Sequence, residues 1–171
     1  MKTSDAIMDI LKRHVDTVFM LPGGGAMHLV DSLGLSGLRI VPCLHEQGAG
    51  YAALGYAMAR GGLGACLVTS GPGATNALTP LAAAWMDSVP VIFISGQALT
   101  STLVGGTGLR TRGVQEVDII PIVRPITKDA YRPANGWAVP KALETMIALC
   151  VDGRQGPAWL DVPLDVQAEE I

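Results

Sequence analysis

The sequence is short of charged residues and has no long apolar run. Lys, Arg, Asp and Glu make up 16% of its 171 residues, against about 25% in an average globular domain. The formal net charge is -3 and no basic stripe is present, so nucleic acid is not an expected partner. The most apolar stretches, 64–68 and 90–94, are far shorter than the roughly 20 residues that a membrane-spanning helix needs. We therefore expect neither a nucleic-acid-binding protein nor a membrane protein.

Cysteine is also scarce. The chain has three cysteines, Cys43, Cys66 and Cys150, and their spacing fits no zinc-binding pattern. The apolar runs around Cys43 and Cys66 favour buried, reduced side chains, as in a cytosolic protein. The first residues lead into an amphipathic segment rather than a secretory signal. These features predict a cytoplasmic location.

The scarcity of charge contrasts with a hydrophobic content of 49%. A lone domain of this size would be expected to carry more charge on its surface. Obligate interfaces resemble a domain core cut in half. We therefore expect another domain or subunit to cover much of the surface, in a homo- or hetero-oligomer.

Short apolar segments alternate with helical segments along the chain. Strands are predicted at 15–21, 38–44, 63–69, 90–95 and 157–162, with a short extended piece at 128–132. Helices are predicted from Thr3 or Ser4 onward and at 26–33, 45–60, 73–86, 117–123 and 137–151, with a loop at 99–114. This alternation predicts an α/β fold, a doubly wound parallel sheet with helices on both faces. We expect one domain over residues 1–165, and a tail or the start of a linker over 166–171.

Glycine-rich or acidic segments follow four of the predicted strands, at 22–24, 45–46, 70–73 and 96–97. In such folds ligands bind beyond the carboxyl ends of the strands, and glycine allows a close approach of the backbone. No glycine loop is followed by the Gly-Lys-Ser/Thr of a phosphate-binding loop. The dinucleotide pattern is approached at Gly71–Gly73 but is broken by Pro72 and Asn76. A flavodoxin-like nucleotide-binding module would fit the fold without explaining Glu46.

Glu46 is the one acidic residue in these segments. It follows an apolar strand, lies among small apolar residues, and has no Lys or Arg within one helical turn. An acid at a helix amino-terminus can simply stabilise the helix dipole, which is a structural role. In the company of the glycine-rich loops, a functional carboxylate is the favoured interpretation.

Several short runs have a fixed order along the chain: Asp16–Gly24, His45–Ala49, Thr69–Asn76, Asp87–Pro90, Gly96–Gln97, Val114–Glu116, Pro125–Lys128, Gly156–Pro157 and Asp161–Pro163. Together they resemble the amino-terminal, pyrimidine-binding domain of thiamine-diphosphate enzymes, most closely the acetohydroxyacid (acetolactate) synthase branch. The resemblance implies the pyrimidine-binding thiamine-diphosphate fold. It also implies a carboligase or decarboxylase, a transferase or lyase acting on a small 2-oxo acid.

The resemblance implies a role for each matching residue. Glu46 is the carboxyl group held against N1' of the aminopyrimidine, where it favours the imino tautomer that takes the proton from the thiazolium C2. Burial among small apolar residues would suit this role, because it raises the pKa of a carboxyl group. Gln115 matches a glutamine near the reacting centre and is the second catalytic candidate. The candidate cofactor-binding residues are Gly24, Gly25, Glu46, Pro72 and Asn76.

Three further positions can be compared with the family pattern. Lys128 matches a lysine near the substrate entrance, although a solvated charge is an equal alternative. Ser70 stands where some decarboxylases place a histidine, so a histidine acid/base is not available at that point. His45 is expected to be structural.

Two departures from the family pattern shape the expected function. The segment from Gln97 to Gln115 is longer than in a typical synthase, and Val114 replaces a usual Phe. Acetolactate synthesis and a related carboligase or lyase reaction therefore both stay open. The sequence also lacks the Gly-Asp-Gly and Asn-Asn motifs that bind diphosphate and Mg2+ in these enzymes, so no metal ligand is expected in this chain.

The missing motifs imply that another domain or subunit supplies the diphosphate and Mg2+ half of the cofactor site. The sequence does not determine whether FAD is used. A non-catalytic structural or regulatory domain with the same fold is the alternative, and the retained Glu46 speaks against it.

Overall fold

The computed structural model describes residues 1–171 and is built on one six-stranded sheet. The strands are β1 (Thr17–Met20), β2 (Arg39–Pro42), β3 (Gly64–Val68), β4 (Val91–Gln97), β5 (Asp129–Tyr131) and β6 (Ala158–Pro163). Their order across the sheet is β2-β1-β3-β4-β6-β5, and every pair of neighbours is parallel. All strands therefore end at one edge of the sheet, here called the carboxyl edge.

Eight α-helices accompany the sheet. They are α1 (Thr3–Leu11), α2 (Met27–Leu35), α3 (Glu46–Arg60), α4 (Pro72–Asn76), α5 (Leu78–Met86), α6 (Ile119–Val123), α7 (Val139–Val151) and α8 (Leu164–Ala168). One apolar cluster joins the sheet to α1, α2, α7 and α8, and a second joins it to α3, α4, α5 and α6. The predicted doubly wound α/β fold is confirmed.

The alternation of side chains along β3 shows why both faces must be covered. Ala65 and Leu67 belong to the first cluster, whereas Cys66 and Val68 belong to the second. Successive strand residues point to opposite faces, and all of β3 is buried. Burial raises the pKa of the Cys66 thiol far above its ordinary value, which fits the predicted role of a small apolar core residue.

The edge strand β2 accommodates Pro42, which falls inside the predicted strand 38–44. β2 pairs only with β1 and is mostly exposed. Pro42 is its last residue, and an edge position tolerates the missing N–H of proline. From there the chain turns directly into α3, whose first residue is Glu46.

The predicted helix at 73–86 is divided in the structure. α4 ends at Asn76 and α5 begins at Leu78, with Ala77 between them at φ -86° and ψ 1°. Pro80 follows within α5, and its ring removes the N–H that would bond the carbonyl of Asn76. The break places Asn76 at the end of a short helix, where its side chain is free to turn toward α3.

Residues 166–171, expected to form a tail or the start of a linker, are packed on the domain. Residues 164–168 form α8, in which Val166 and Gln167 are buried. The Thr3 N–H donates to the carbonyl of Glu169, and Lys2 forms an isolated bridge with Glu170. These contacts tie the last residues to α1. No helix combines the length and apolar character that crossing a membrane requires.

Candidate functional site

The loops after β1 and β3 meet at the carboxyl edge. The chain leaves β1 toward β2 on one side, whereas β3 lies on the other side, and such a switch point is where open α/β sheets bind ligands. The Gly25 N–H donates to Oγ1 of Thr69 over 3.1 Å across this point. The hydrogen bond fixes the glycine-rich loop 23–25 against the turn that follows β3.

The turn after β3 has a conformation that requires glycine. Gly71 has φ 56°, and a β-carbon there would overlap the carbonyl oxygen of Gln115. The backbone of Gln115, itself at φ 52°, thus lies directly against the turn. Two candidate loops that are far apart in sequence are brought into contact by this glycine.

Glu46 lies at the same edge, at the start of α3. His45 caps α3, because its Nδ1 accepts a hydrogen bond from the Gln47 N–H over 3.1 Å. Glu46 follows the cap and is 8% exposed. Its Oε2 accepts from Nδ2 of Asn76 over 2.9 Å. A β-carbon on Gly73 would lie 3.1 Å from Oε1, so the absence of a side chain keeps that oxygen approachable.

A cavity of about 360 Å3 opens beside this group. Its lining includes four residues singled out from the sequence, namely Gly24, Gly25, Ser70 and Gln115. Glu46, Pro72 and Asn76 do not line it. The structure thus divides the predicted site residues into a carboxylate group around Glu46 and a cavity group, joined by the turn 69–73.

The long segment between β4 and α6 forms the outer wall of the cavity. It is a loop, as predicted, with one short 3-10 turn at Thr100–Thr102. The carboxylate of Glu116 accepts hydrogen bonds from the N–H groups of Val104, Arg112 and Gly113 at 2.6–3.2 Å. Although burial acts to raise it, these hydrogen bonds hold the pKa of Glu116 below its ordinary value.

A buried polar network lies beneath the cavity, where β4 and β6 pair. Asp161 is fully buried and accepts hydrogen bonds from Ser95 Oγ at 2.7 Å and Gln97 Nε2 at 3.0 Å. Gln97 also donates to the carbonyl of Val117 over 2.8 Å, at the far end of the long loop. Burial raises the pKa of Asp161 to about 6, against the lowering effect of its hydrogen bonds.

Gln167 is a site-supporting residue that the sequence did not reveal. Its Nε2 donates to the carbonyls of Gly25 and Val162, both over 2.8 Å. The side chain is fully buried and secures the glycine-rich loop from below. No local pattern marked it, because its partner Gly25 is 142 positions away. Thr69 and Gln97, in contrast, stood inside matching runs without an assigned role.

Lys128 does not join this site within the chain. It immediately precedes β5, so it lies at the opposite edge of the parallel sheet. Its Nζ donates to the carbonyl of Asp152 over 2.5 Å. There it lines a cavity of about 710 Å3, together with Trp85 and Arg154. The solvated alternative describes its position in this chain better than a place near Glu46.

The structure contains no group of three or more His, Cys, Asp or Glu side chains that could hold a metal ion. The carboxyl edge offers Glu46 near the turn, with Glu116 and Asp161 occupied in separate networks. The edge does combine an approachable carboxylate oxygen, a cavity, and two loops, 23–25 and 69–73, whose backbones lie close together.

Comparisons with known proteins identify the family of the chain. Residues 1–122 match the family described as thiamine pyrophosphate enzyme, N-terminal TPP binding domain. The chain is 45% identical over 159 residues to the acetolactate synthase large subunit of Corynebacterium glutamicum, covering 92% of this chain and 24% of that protein. It is 40% identical over 153 residues to the acetolactate synthase isozyme 2 large subunit of Escherichia coli, covering 90% and 27%.

A plant protein is similar as well. The chain is 40% identical over 170 residues to the chloroplastic acetolactate synthase of Arabidopsis thaliana, covering 98% of this chain and 24% of that protein. The chain thus spans about a quarter of the length of the curated relatives it matches.

Proposed function

The chain belongs to the thiamine pyrophosphate enzyme family as an N-terminal TPP-binding domain, and from this premise we propose that it supplies the pyrimidine half of an acetolactate synthase-like active site. The reaction is decarboxylation of a small 2-oxo acid, ligation of the resulting acyl carbanion to an acceptor, or both. The observation that carries the proposal is the pairing of Glu46 with Asn76 at the switch point of the sheet.

The residues around Glu46 fit an aminopyrimidine. Asn76 satisfies Oε2 over 2.9 Å, whereas no residue of the chain donates a hydrogen bond to Oε1. Gly73 keeps Oε1 approachable, and Gly24 and Gly25 keep the neighbouring loop free of side chains. A flat ring with a nitrogen directed at Oε1 would complete the hydrogen bonding of the carboxyl group.

The chemistry is divided between the cofactor and this chain. When bound, thiamine diphosphate would supply a thiazolium C2–H, and this carbon is a nucleophile toward 2-oxo acids once its proton has been removed. Glu46 holds a proton against the ring nitrogen N1', and Asn76 orients the carboxyl group for that task. Pro72 begins α4 and fixes the direction of the helix that carries Asn76. Gln115, on the cavity wall, faces the space left for the substrate.

The remaining parts of the site are proposed to come from elsewhere. A diphosphate-binding domain or subunit holds the diphosphate and Mg2+, and it covers the carboxyl edge in a homo- or hetero-oligomer. The exposed apolar residues Leu44 and Val114 lie on the loops of this edge, which supports such a contact. We assign no FAD contact to this chain, and we propose a cytoplasmic enzyme.

Reconstitution tests the proposal. The chain alone should bind thiamine diphosphate weakly, and addition of the diphosphate-binding domain should produce Mg2+-dependent consumption of pyruvate. Submicromolar affinity of the chain alone, measured by calorimetry, would contradict the division of the site. Tight cofactor binding by the complete assembly without turnover of any 2-oxo acid would favour the non-catalytic alternative.

A further inference from the structure

The long loop between β4 and α6 brings a cation to the wall of the cavity. Arg112 lines the cavity beside Gly113, Val114 and Gln115. It lies in the segment from Gln97 to Gln115, which we expect to be longer than in a typical synthase. The loop therefore adds a positively charged residue to the lining of the cavity.

Three hydrogen bonds hold the loop that carries Arg112. The Arg112 N–H donates to Oε2 of Glu116 over 3.2 Å. At the start of the loop, the Thr100 N–H donates to Asp165 on α8 over 3.0 Å. At its base, Gln97 holds the carbonyl of Val117. Gly113 packs so closely on Ala98 that a β-carbon there would lie 2.5 Å from the Ala98 methyl.

The charge of Arg112 has no partner within the chain. None of the ion pairs in the structure includes it, and no Asp or Glu lines the cavity. The nearby Glu116 carboxylate is directed at backbone N–H groups. Arg112 is an exposed residue of the cavity lining, so its positive charge is available to a ligand.

The rest of the lining limits what such a charge can bind. Apolar side chains come from Met27, Leu99, Val114 and Leu164, and polar ones from Ser70, Gln97 and Gln115. A guanidinium group matches a carboxylate through two parallel hydrogen bonds. The volume of about 360 Å3 suits a small molecule that combines a carboxylate with a short apolar chain.

We infer that Arg112 recognises the carboxylate of a 2-oxo acid substrate, and that the long loop exists in this chain to present it. The inference rests on the proposed function for the identity of the substrate. Arg112 is a specificity-determining residue and takes no part in the proton transfer assigned to Glu46.

Arg112→Gln in the complete, reconstituted enzyme tests the inference, with Arg110→Gln as the matched control. Arg110 lies on the same loop and does not line the cavity. The loss of a charge-assisted hydrogen-bonded pair should raise KM for pyruvate about tenfold or more. The same variant should leave the rate of cofactor C2 proton exchange unchanged, because that exchange involves no 2-oxo acid. Arg112→Lys should recover part of the loss.

Direct binding separates this inference from the proposed function. Calorimetry with oxamate, an unreactive carboxylate of similar size, should show weaker binding to the Arg112→Gln enzyme than to the wild type. Arg112-dependent oxamate binding without turnover would reject the proposed function and support the recognition. Equal oxamate binding and equal KM in both enzymes would overturn the inference. The inference would also be overturned if Arg112→Gln raised only the concentration of thiamine diphosphate needed for activity, because Arg112 would then bind the cofactor.

Discussion

The side-chain amide of Asn76 donates a hydrogen bond to Oε2 of Glu46 over 2.9 Å, joining residues that are 30 positions apart. Glu46 begins a long helix after β2, and Asn76 ends a short helix after β3. The break between α4 and α5 allows this contact. One carboxylate oxygen is thereby fixed, and the other is left for a ligand.

Asn76→Ala should loosen Glu46 without unfolding the domain. Small displacements of a catalytic group can lower rates about a hundredfold, so we expect a loss of roughly tenfold to a hundredfold in cofactor C2 proton exchange. The free energy of unfolding should fall by about 1 kcal/mol or less, because Asn76 is exposed. Exchange at the wild-type rate in this variant would show that Asn76 does not orient Glu46.

Asp161 should make the stability of the domain depend on pH. Burial raises its pKa to about 6 from an ordinary value of 3.8. Between these values the native protein holds a proton that the unfolded chain has lost, so stability falls as the pH rises through this window. The free energy of unfolding should therefore fall by about 2 kcal/mol from about pH 4 to about pH 7.

Asp161→Asn checks this expectation, because the amide cannot ionise. Urea unfolding of both proteins should show the variant gaining about 2 kcal/mol relative to the wild type between about pH 4 and about pH 7. The amide also mispairs with Gln97, which lowers the stability of the variant at every pH. A stability difference that stays constant over this range would contradict the proposed ionisation.

Glu116→Ala should release the loop at 99–115. The substitution removes the acceptor of three backbone N–H groups, and each unsatisfied group costs about 1–3 kcal/mol where it stays buried. Trypsin should then cleave after Arg110 and Arg112 at least about tenfold faster than in the wild type. Glu144→Ala is the control, since it removes an exposed carboxylate on α7 that pairs with Arg13. Equal cleavage rates in the two variants would mean that Glu116 does not order the loop.

The strands and the loops at their ends could be predicted because fully buried parallel strands are continuous apolar runs bounded by glycine and proline. β3 and β4 follow that pattern closely. Glu46 was also predicted to follow an apolar strand, although that strand, β2, is a mostly exposed edge strand. The break before α5 was missed because a periodic apolar pattern continues through Pro80.

The remaining features depend on contacts between distant residues. Gln167 supports the loop at Gly25 across 142 positions, and the carboxylate of Glu116 is surrounded by backbone groups of its own loop. Neither arrangement leaves a periodic trace in the sequence. The packing of α8 was missed for a similar reason, because five residues are too short a segment to show helical periodicity.

The central claim is that Glu46 activates the cofactor. Glu46→Gln in the complete enzyme should preserve the fold and most cofactor binding, because the amide has the same shape and the diphosphate is held by the partner domain. The amide cannot share a proton with N1', so activation should fall by about 100- to 10,000-fold. Glu144→Gln, on the far exposed face, should behave as the wild type.

The direct measurement is hydrogen–deuterium exchange at C2 of bound thiamine diphosphate, followed by rapid quench in the wild type, Glu46→Gln and Glu144→Gln enzymes. The account predicts slow exchange in Glu46→Gln alone, with turnover reduced to a similar extent. Exchange and turnover at the wild-type rate in Glu46→Gln would contradict it, and the similarity to thiamine-diphosphate enzymes would then describe the fold without the chemistry.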